Sequence, residues 1–171
     1  TVFGGMFMKK LCCLIAVAVF VFTLSGGCFA VENEPQVSAK AAVVIEAGTG
    51  RVVFGKNENA KLPMASTTKI MSVLLTLESG DLDSEFVVDS EAVKTEGSSM
   101  GLMEGDIVSK RDLCIGMLLP SGNDAANCAA VKVGGSMAGF ADMMNAKASR
   151  LGLKNTHFVT PSGLHDDEHY S

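Results

Sequence analysis

Met64-Ala65-Ser66-Thr67-Thr68-Lys69-Ile70-Met71-Ser72-Val73-Leu74-Leu75-Thr76-Leu77 follows Pro63 and runs up to Gly80, and its reading decides the fold. Ile70, Met71, Val73, Leu74, Leu75 and Leu77 predict a buried helix, apolar on most sides, that Gly80 ends. Ser66 and Lys69 lie three residues apart, so they share a face of its first turn, at the edge of a core. Polar groups placed there cost stability unless they are partnered, which marks them as candidates for chemistry. A serine hydroxyl is a weak nucleophile at neutral pH, and a lysine can take its proton only when the amine is held neutral. Desolvation at a helix start achieves that. Backbone N–H groups exposed at the same helix start, that of Ser66 included, can donate to the oxyanion formed when Ser66 attacks a carbonyl.

Working outward, Ala41 to Glu46 and Arg51 to Gly55 are β-branched runs joined by Ala47-Gly48-Thr49-Gly50, which predicts an antiparallel strand pair. Phe86-Val87-Val88 is a short strand candidate, and Gly97-Ser98-Ser99 a turn. Ser109 with Asp112 three residues on reads as a capping box for a helix that Pro120 stops. Asn123 or Asp124 then caps a second helix, Ala125 to Val133, closed by Gly134-Gly135, and a third runs from Met137 to Leu151. Between the first two, Ser121-Gly122-Asn123 forms a tight loop able to present a hydroxyl and a carboxamide sideways into a cleft. The strand candidates are too few to cover this many apolar helices, so the sequence reads as part of a longer fold.

The chain has 171 residues, 47% hydrophobic and 19% charged, enough for one globular domain with a core. Its net charge of -5 is spread out, with no Lys/Arg cluster to track a phosphate backbone, which excludes nucleic acid as the expected partner. The first 30 residues differ. Lys9 and Lys10 precede an apolar run from Leu11 to Leu24, then Ser25-Gly26-Gly27 and Cys28-Phe29-Ala30. A basic start, a short apolar stretch and a small-residue end predict a signal for export, cleaved after Ala30, with Met6 or Met8 as the start. Residues 31–40, polar and containing Pro35, read as a linker, and 41–171 as the domain.

Cys114 and Cys128 lie in apolar helical segments and read as small core residues, with a disulfide between them left open. The ten methionines read as core filler. His165 and His169, with Asp166, Asp167 and Glu168 between them, lie in a tail whose spacing is not that of a helical ligand pair. They read as a polar loop, and no metal or other cofactor is expected. Nothing in the sequence places His157 near a serine for a Ser-His-Asp triad.

Four motifs, taken together and in order, carry a resemblance. Met64-Ala65-Ser66-Thr67-Thr68-Lys69-Ile70-Met71, Gly97-Ser98-Ser99-Met100, Leu118-Leu119-Pro120-Ser121-Gly122-Asn123-Asp124-Ala125-Ala126 and Pro161-Ser162-Gly163-Leu164 resemble the serine-type D-alanyl-D-alanine carboxypeptidases. These are low-molecular-mass penicillin-binding proteins of the penicillin-recognising superfamily. The resemblance implies a mixed α/β (α+β) fold of the DD-peptidase/β-lactamase type, a mainly antiparallel sheet flanked by helices, of which this chain holds the N-terminal part. It implies removal of the terminal D-alanine from peptidoglycan stem peptides in the bacterial cell envelope. Ser66 is then the acylated nucleophile, Lys69 its base, Ser121 a proton relay, and Asn123 a hydrogen-bonding partner of Lys69 and substrate. Penicillins and other β-lactams acylate the same serine, and the membrane surface is reached through a C-terminal region beyond this sequence. The family's third element, a Lys-Thr-Gly strand that binds the substrate carboxylate, does not occur in the 171 residues. This segment alone is therefore expected to be inactive. Three alternatives stand beside this reading: a class A β-lactamase, which usually carries Ser-Asp-Asn where this chain has Ser121-Gly122-Asn123; a non-catalytic peptidoglycan-binding or β-lactam-sensing module; and a purely structural exported domain.

Overall fold

The computed structural model describes residues 35–171; the expected export signal and the first part of the expected linker lie outside the described residues. The chain from Lys40 onward forms one compact unit. It opens with strands β1 (Ala42–Ile45) and β2 (Val52–Lys56), paired antiparallel with Val43 opposite Gly55 and an irregularity between Val44 and Ile45. The turn is closed by Glu46, whose carboxylate accepts from the backbone N–H groups of Gly48 and Thr49 at 2.8 and 2.9 Å. Strand-formers on either side of a self-capped turn suffice for this hairpin.

A 3₁₀ turn, Ala65–Thr68, leads directly into helix α1 (Lys69–Glu78), so Ser66 sits in the tighter turn and Lys69 opens the α-helix. The helix departs from the sequence expectation. Met71, Val73 and Leu75 are buried, but so are Ser72 and Thr76, while Ile70 is 68% exposed and Leu77 also faces out. Ser72 Oγ donates to the Pro161 carbonyl at 2.5 Å and Thr76 Oγ1 to the Ser72 carbonyl at 2.8 Å. The buried polar stripe is affordable because it is fully partnered.

Strands β3 (Glu85–Val87) and β4 (Ile107–Ser109) form a second antiparallel pair, and Ser109 ends β4 while capping helix α2 (Lys110–Leu118). The predicted capping box is present: Ser109 Oγ accepts from the Asp112 N–H at 3.2 Å, and Asp112 Oδ2 accepts from the Ser109 N–H at 2.9 Å. Helix α3 (Asn123–Gly134) corrects another expectation. Its N-cap is Gly122 and no side chain caps it. Asn123 and Asp124 lie inside the helix with their side chains committed elsewhere. Helix α4 (Met137–Arg150) is capped by Ser136, whose Oγ accepts from the Gly139 N–H at 3.0 Å.

Two apolar clusters meet along α1 and α3. Val73 packs with Val88, Leu113, Met117, Ala125 and Cys128, whereas Met71 and Leu75 pack with Ala130, Phe140, Met144 and Phe158. The small residues Ala125, Ala126, Ala129 and Ala130 let α3 be buried along its first two turns. Each large side chain sealed in these clusters, Leu113 or Phe140, contributes about 1.5–3 kcal/mol of transfer free energy. Cys114 and Cys128 are buried free thiols, as core residues would be, and burial pushes the Cys128 thiol up to about 11.

The tail folds back on the domain rather than trailing as a polar loop. His157 and Tyr170 exchange backbone hydrogen bonds at 2.8 and 3.0 Å, and Ser171 and Leu62 do the same at 3.1 and 3.2 Å. His165 is exposed beside Asp167, but His169 is only 3% exposed, which overturns its reading as a solvated loop residue. Among the described residues no helix is long and apolar enough to cross a membrane.

Candidate active site

Three segments converge on the Lys69 amine. The 3₁₀ turn brings Ser66 Oγ to 3.1 Å, the α2–α3 junction brings Ser121 Oγ to 3.3 Å and Asn123 Oδ1 to 2.8 Å, and the 159–164 loop brings the Ser162 carbonyl to 3.0 Å. All four sequence-predicted site residues are therefore in one cluster. Lys69 is 2% exposed, Asn123 is buried, Ser121 is half-buried and Ser66 is exposed. The nucleophile candidate faces outward while the amine beneath it is sealed.

The hydrogen-bond chemistry of these partners orients the amine. Asn123 Nδ2 donates to the Glu96 carbonyl at 2.7 Å, which leaves Oδ1 to face Lys69. That oxygen and the Ser162 carbonyl are acceptors only, so each requires a hydrogen from Nζ. A tetrahedral nitrogen on its Cε has three remaining positions. Two are fixed by the carbonyls, and the third points toward the hydroxyls of Ser66 and Ser121. In the neutral amine that third position is the lone pair, aimed at the two hydroxyls. Burial lowers the Lys69 pKa from its ordinary 10.5, and this favours the neutral form.

The backbone is bent to make this geometry. Ala65, before the candidate nucleophile, has φ +47°, and Ser121 has φ +58°, both in the left-handed region that costs a non-glycine residue about 1–3 kcal/mol. Gly163, at φ +84°, lets the 159–164 loop close on the 3₁₀ turn: a Cβ there would lie 1.9 Å from the Ala65 carbonyl oxygen. Gly122 is confined too, though less tightly. A Cβ would meet Asp124 Oδ1 at 2.7 Å, the Met100 nitrogen at 3.0 Å and the Gly116 oxygen at 3.1 Å. The aspartate usual at this place in class A β-lactamases therefore has no room here.

Asp124 was expected as a helix cap and acts instead as an anchor. Its carboxylate accepts from Ser99 Oγ at 2.6 Å and from the backbone N–H groups of Met100, Gly101 and Leu102 at 2.9–3.0 Å. Burial opposes its charge, yet these donors win and hold the carboxyl below its ordinary 3.8. The Ser98 carbonyl accepts the Asn123 N–H at 2.7 Å, so the Gly97-Ser98-Ser99-Met100 motif buttresses the first turn of α3. The Ser162 carbonyl, Asp124 and His169 were missed as site components. The first two lie within motifs already singled out, but a carbonyl's direction and a carboxylate's partner over 20 residues away leave no spacing signal. Among the described residues no group of three or more His, Cys, Asp or Glu side chains is placed to hold a metal ion.

Comparison with known proteins is specific. Residues 29–171 match the D-alanyl-D-alanine carboxypeptidase family. The D-alanyl-D-alanine carboxypeptidase DacF of Bacillus subtilis is 37% identical over 176 residues, covering 96% of this chain and 45% of the relative. DacB2 of Mycobacterium tuberculosis is 40% identical over 130 residues, covering 76% of this chain and 44% of the relative. The crystal structure of the carboxypeptidase DacD from Francisella tularensis superposes with a TM-score of 0.75 at 37% identity, over 81% of this chain and 35% of that one. The chain thus spans less than half the length of these relatives. By this family match and these identities, the chain belongs to the D-alanyl-D-alanine carboxypeptidase family.

Proposed function

We propose that the full-length protein removes the terminal D-alanine from peptidoglycan stem peptides through an acyl-enzyme on Ser66. The observation that carries this reading is the Lys69 amine, held by two carbonyls with its remaining position facing Ser66 and Ser121. Ser66 Oγ attacks the carbonyl carbon of the penultimate D-alanine as its proton passes to Lys69 Nζ, and the carbonyl π pair moves onto oxygen. The backbone N–H of Ser66, at the start of the turn, donates to that oxyanion. Collapse breaks the C–N bond, and the proton returns from Lys69 through Ser121 Oγ to the departing amine. Water then attacks the ester, releasing the shortened peptide and restoring the Ser66 hydroxyl. A base so placed is worth about 10²–10⁴-fold in rate.

Penicillins enter the same route, their amide nitrogen remaining tethered after the ring opens. The family resemblance assigns the substrate's carboxylate to a Lys-Thr-Gly strand, which does not occur in these 171 residues. Lys9, Lys10 and the apolar run that follows support export to the cell envelope. The test is twofold. Incubated with a pentapeptide ending in D-Ala-D-Ala, the full-length protein releases D-alanine, and a penicillin adduct maps by mass to the Ser66 peptide. Adduct retained in Ser66→Ala, or no D-alanine released, overturns the reading.

A further inference from the structure

The geometry points to His169 as a positioning residue that holds the 159–164 loop, and with it the Ser162 carbonyl, against the turn carrying Ser66 and Lys69. This rests on Ser66 and Lys69 acting as just described. His169 Nδ1 accepts from the backbone N–H of Val159 at 3.0 Å and of Thr160 at 3.3 Å. An acceptor there carries no hydrogen, so the proton of the neutral ring is on Nε2, which donates to Thr68 Oγ1 at 2.7 Å. The ring is thus a bridge with fixed polarity. One edge grips the loop two residues before Pro161 and Ser162, and the other grips the residue next to Lys69.

The surroundings hold this tautomer. His169 stands edge-on to Phe158, with centroids 5.7 Å apart and planes at 77°. Burial lowers its pKa, Asp166 acts the other way and His157 adds to the lowering, so the neutral ring prevails at neutral pH. Ser162 and Pro161 each give a carbonyl to α1, to Lys69 at 3.0 Å and to Ser72 at 2.5 Å. Without the bridge the loop can recede, and the Lys69 amine loses one of the two acceptors that aim its lone pair. Turnover should suffer while ligand binding does not, because His169 contacts neither Ser66 nor the outward face of the site.

The test uses the full-length protein and a fluorescent penicillin. His169→Ala and Thr68→Val should each lower the limiting acylation rate about tenfold, the loss of one net hydrogen bond in the transition state, with half-saturation unchanged. The double variant should be no slower than the slower single one, because both remove the same link. His169→Gln, whose carboxamide can still donate to Thr68, should recover part of the rate. A wild-type rate in folded His169→Ala, or multiplicative losses in the double variant, overturns the proposal. Should the alanine variant fail to fold, ¹⁵N NMR of His169 in the unaltered protein decides: protonated Nε2 is expected, and protonated Nδ1 overturns the bridge. Absence of any Ser66 adduct in the unaltered protein would instead overturn the carboxypeptidase reading, and the NMR result does not depend on it.

Discussion

The Lys69 centre and the β1–β2 hairpin treat buried surface in opposite ways. Around Lys69 no buried side-chain nitrogen or oxygen of the described residues lacks a partner, and four oxygens from three segments surround one amine. On the hairpin Val43, Val44, Ile45, Val52 and Val53 are 52–60% exposed, and because successive strand residues point to opposite sides, both faces are bare. The Lys69 cluster is built within residues 66–169, whereas the hairpin is strand-forming surface whose valines and Ile45 the described residues leave more than half exposed. The first is a finished network and the second an open one.

Substitutions at the centre should break the network outright. Gly163→Ala has the largest expected effect on stability, on the order of 3 kcal/mol, since its Cβ must displace the Ala65 carbonyl at a left-handed φ. Urea unfolding of the full-length protein measures it, and a loss under about 1 kcal/mol would show that the loop is not clamped to the turn. Asp124→Asn comes next, at about 1–3 kcal/mol, because backbone donors of the 100–102 segment lose a charged acceptor. The folded carboxyl lies below 3.8, so its contribution is complete above that pH and is lost as pH falls through the folded value. Acid unfolding should accordingly be less steep in Asp124→Asn than in the unaltered protein. The hairpin should show the smallest effect if it stays bare: Val53→Ser then costs within about 0.5 kcal/mol. If the rest of the full-length protein covers it, the cost rises to about 1.5–3 kcal/mol. That single substitution tells which of the two regions the remainder completes.

The contrast also explains what could be read from sequence. The strand pair, the Ser109 capping box and the three later helices were legible because periodicity and capping are local signals, and Ser66, Lys69, Ser121 and Asn123, singled out by ordered and distinctive motifs, lie together in the structure. The outward face of α1 was misread, since Ile70 and Leu77 look as apolar as Leu75 until Ser72 and Thr76 are seen to be partnered. His169 was misread for a similar reason. Its neighbours Asp166, Asp167 and Glu168 are polar, and only the return of the tail to His157 and Leu62 brings the ring under the Ser66 turn. Polar residues that a fold buries at long sequence separation leave no periodic trace.

The central claim is that a neutral Lys69 amine, desolvated and aimed by two carbonyls, takes the Ser66 proton. The most direct measurement is the rate of penicillin acylation of the full-length protein from neutral to alkaline pH, in unaltered form and as Lys69→Arg. The account predicts a rate that rises with pH to a midpoint below 10.5, and a fall of about 10²–10⁴-fold with loss of that limb in Lys69→Arg. A midpoint at or above 10.5, or an arginine variant that keeps both rate and limb, would contradict it.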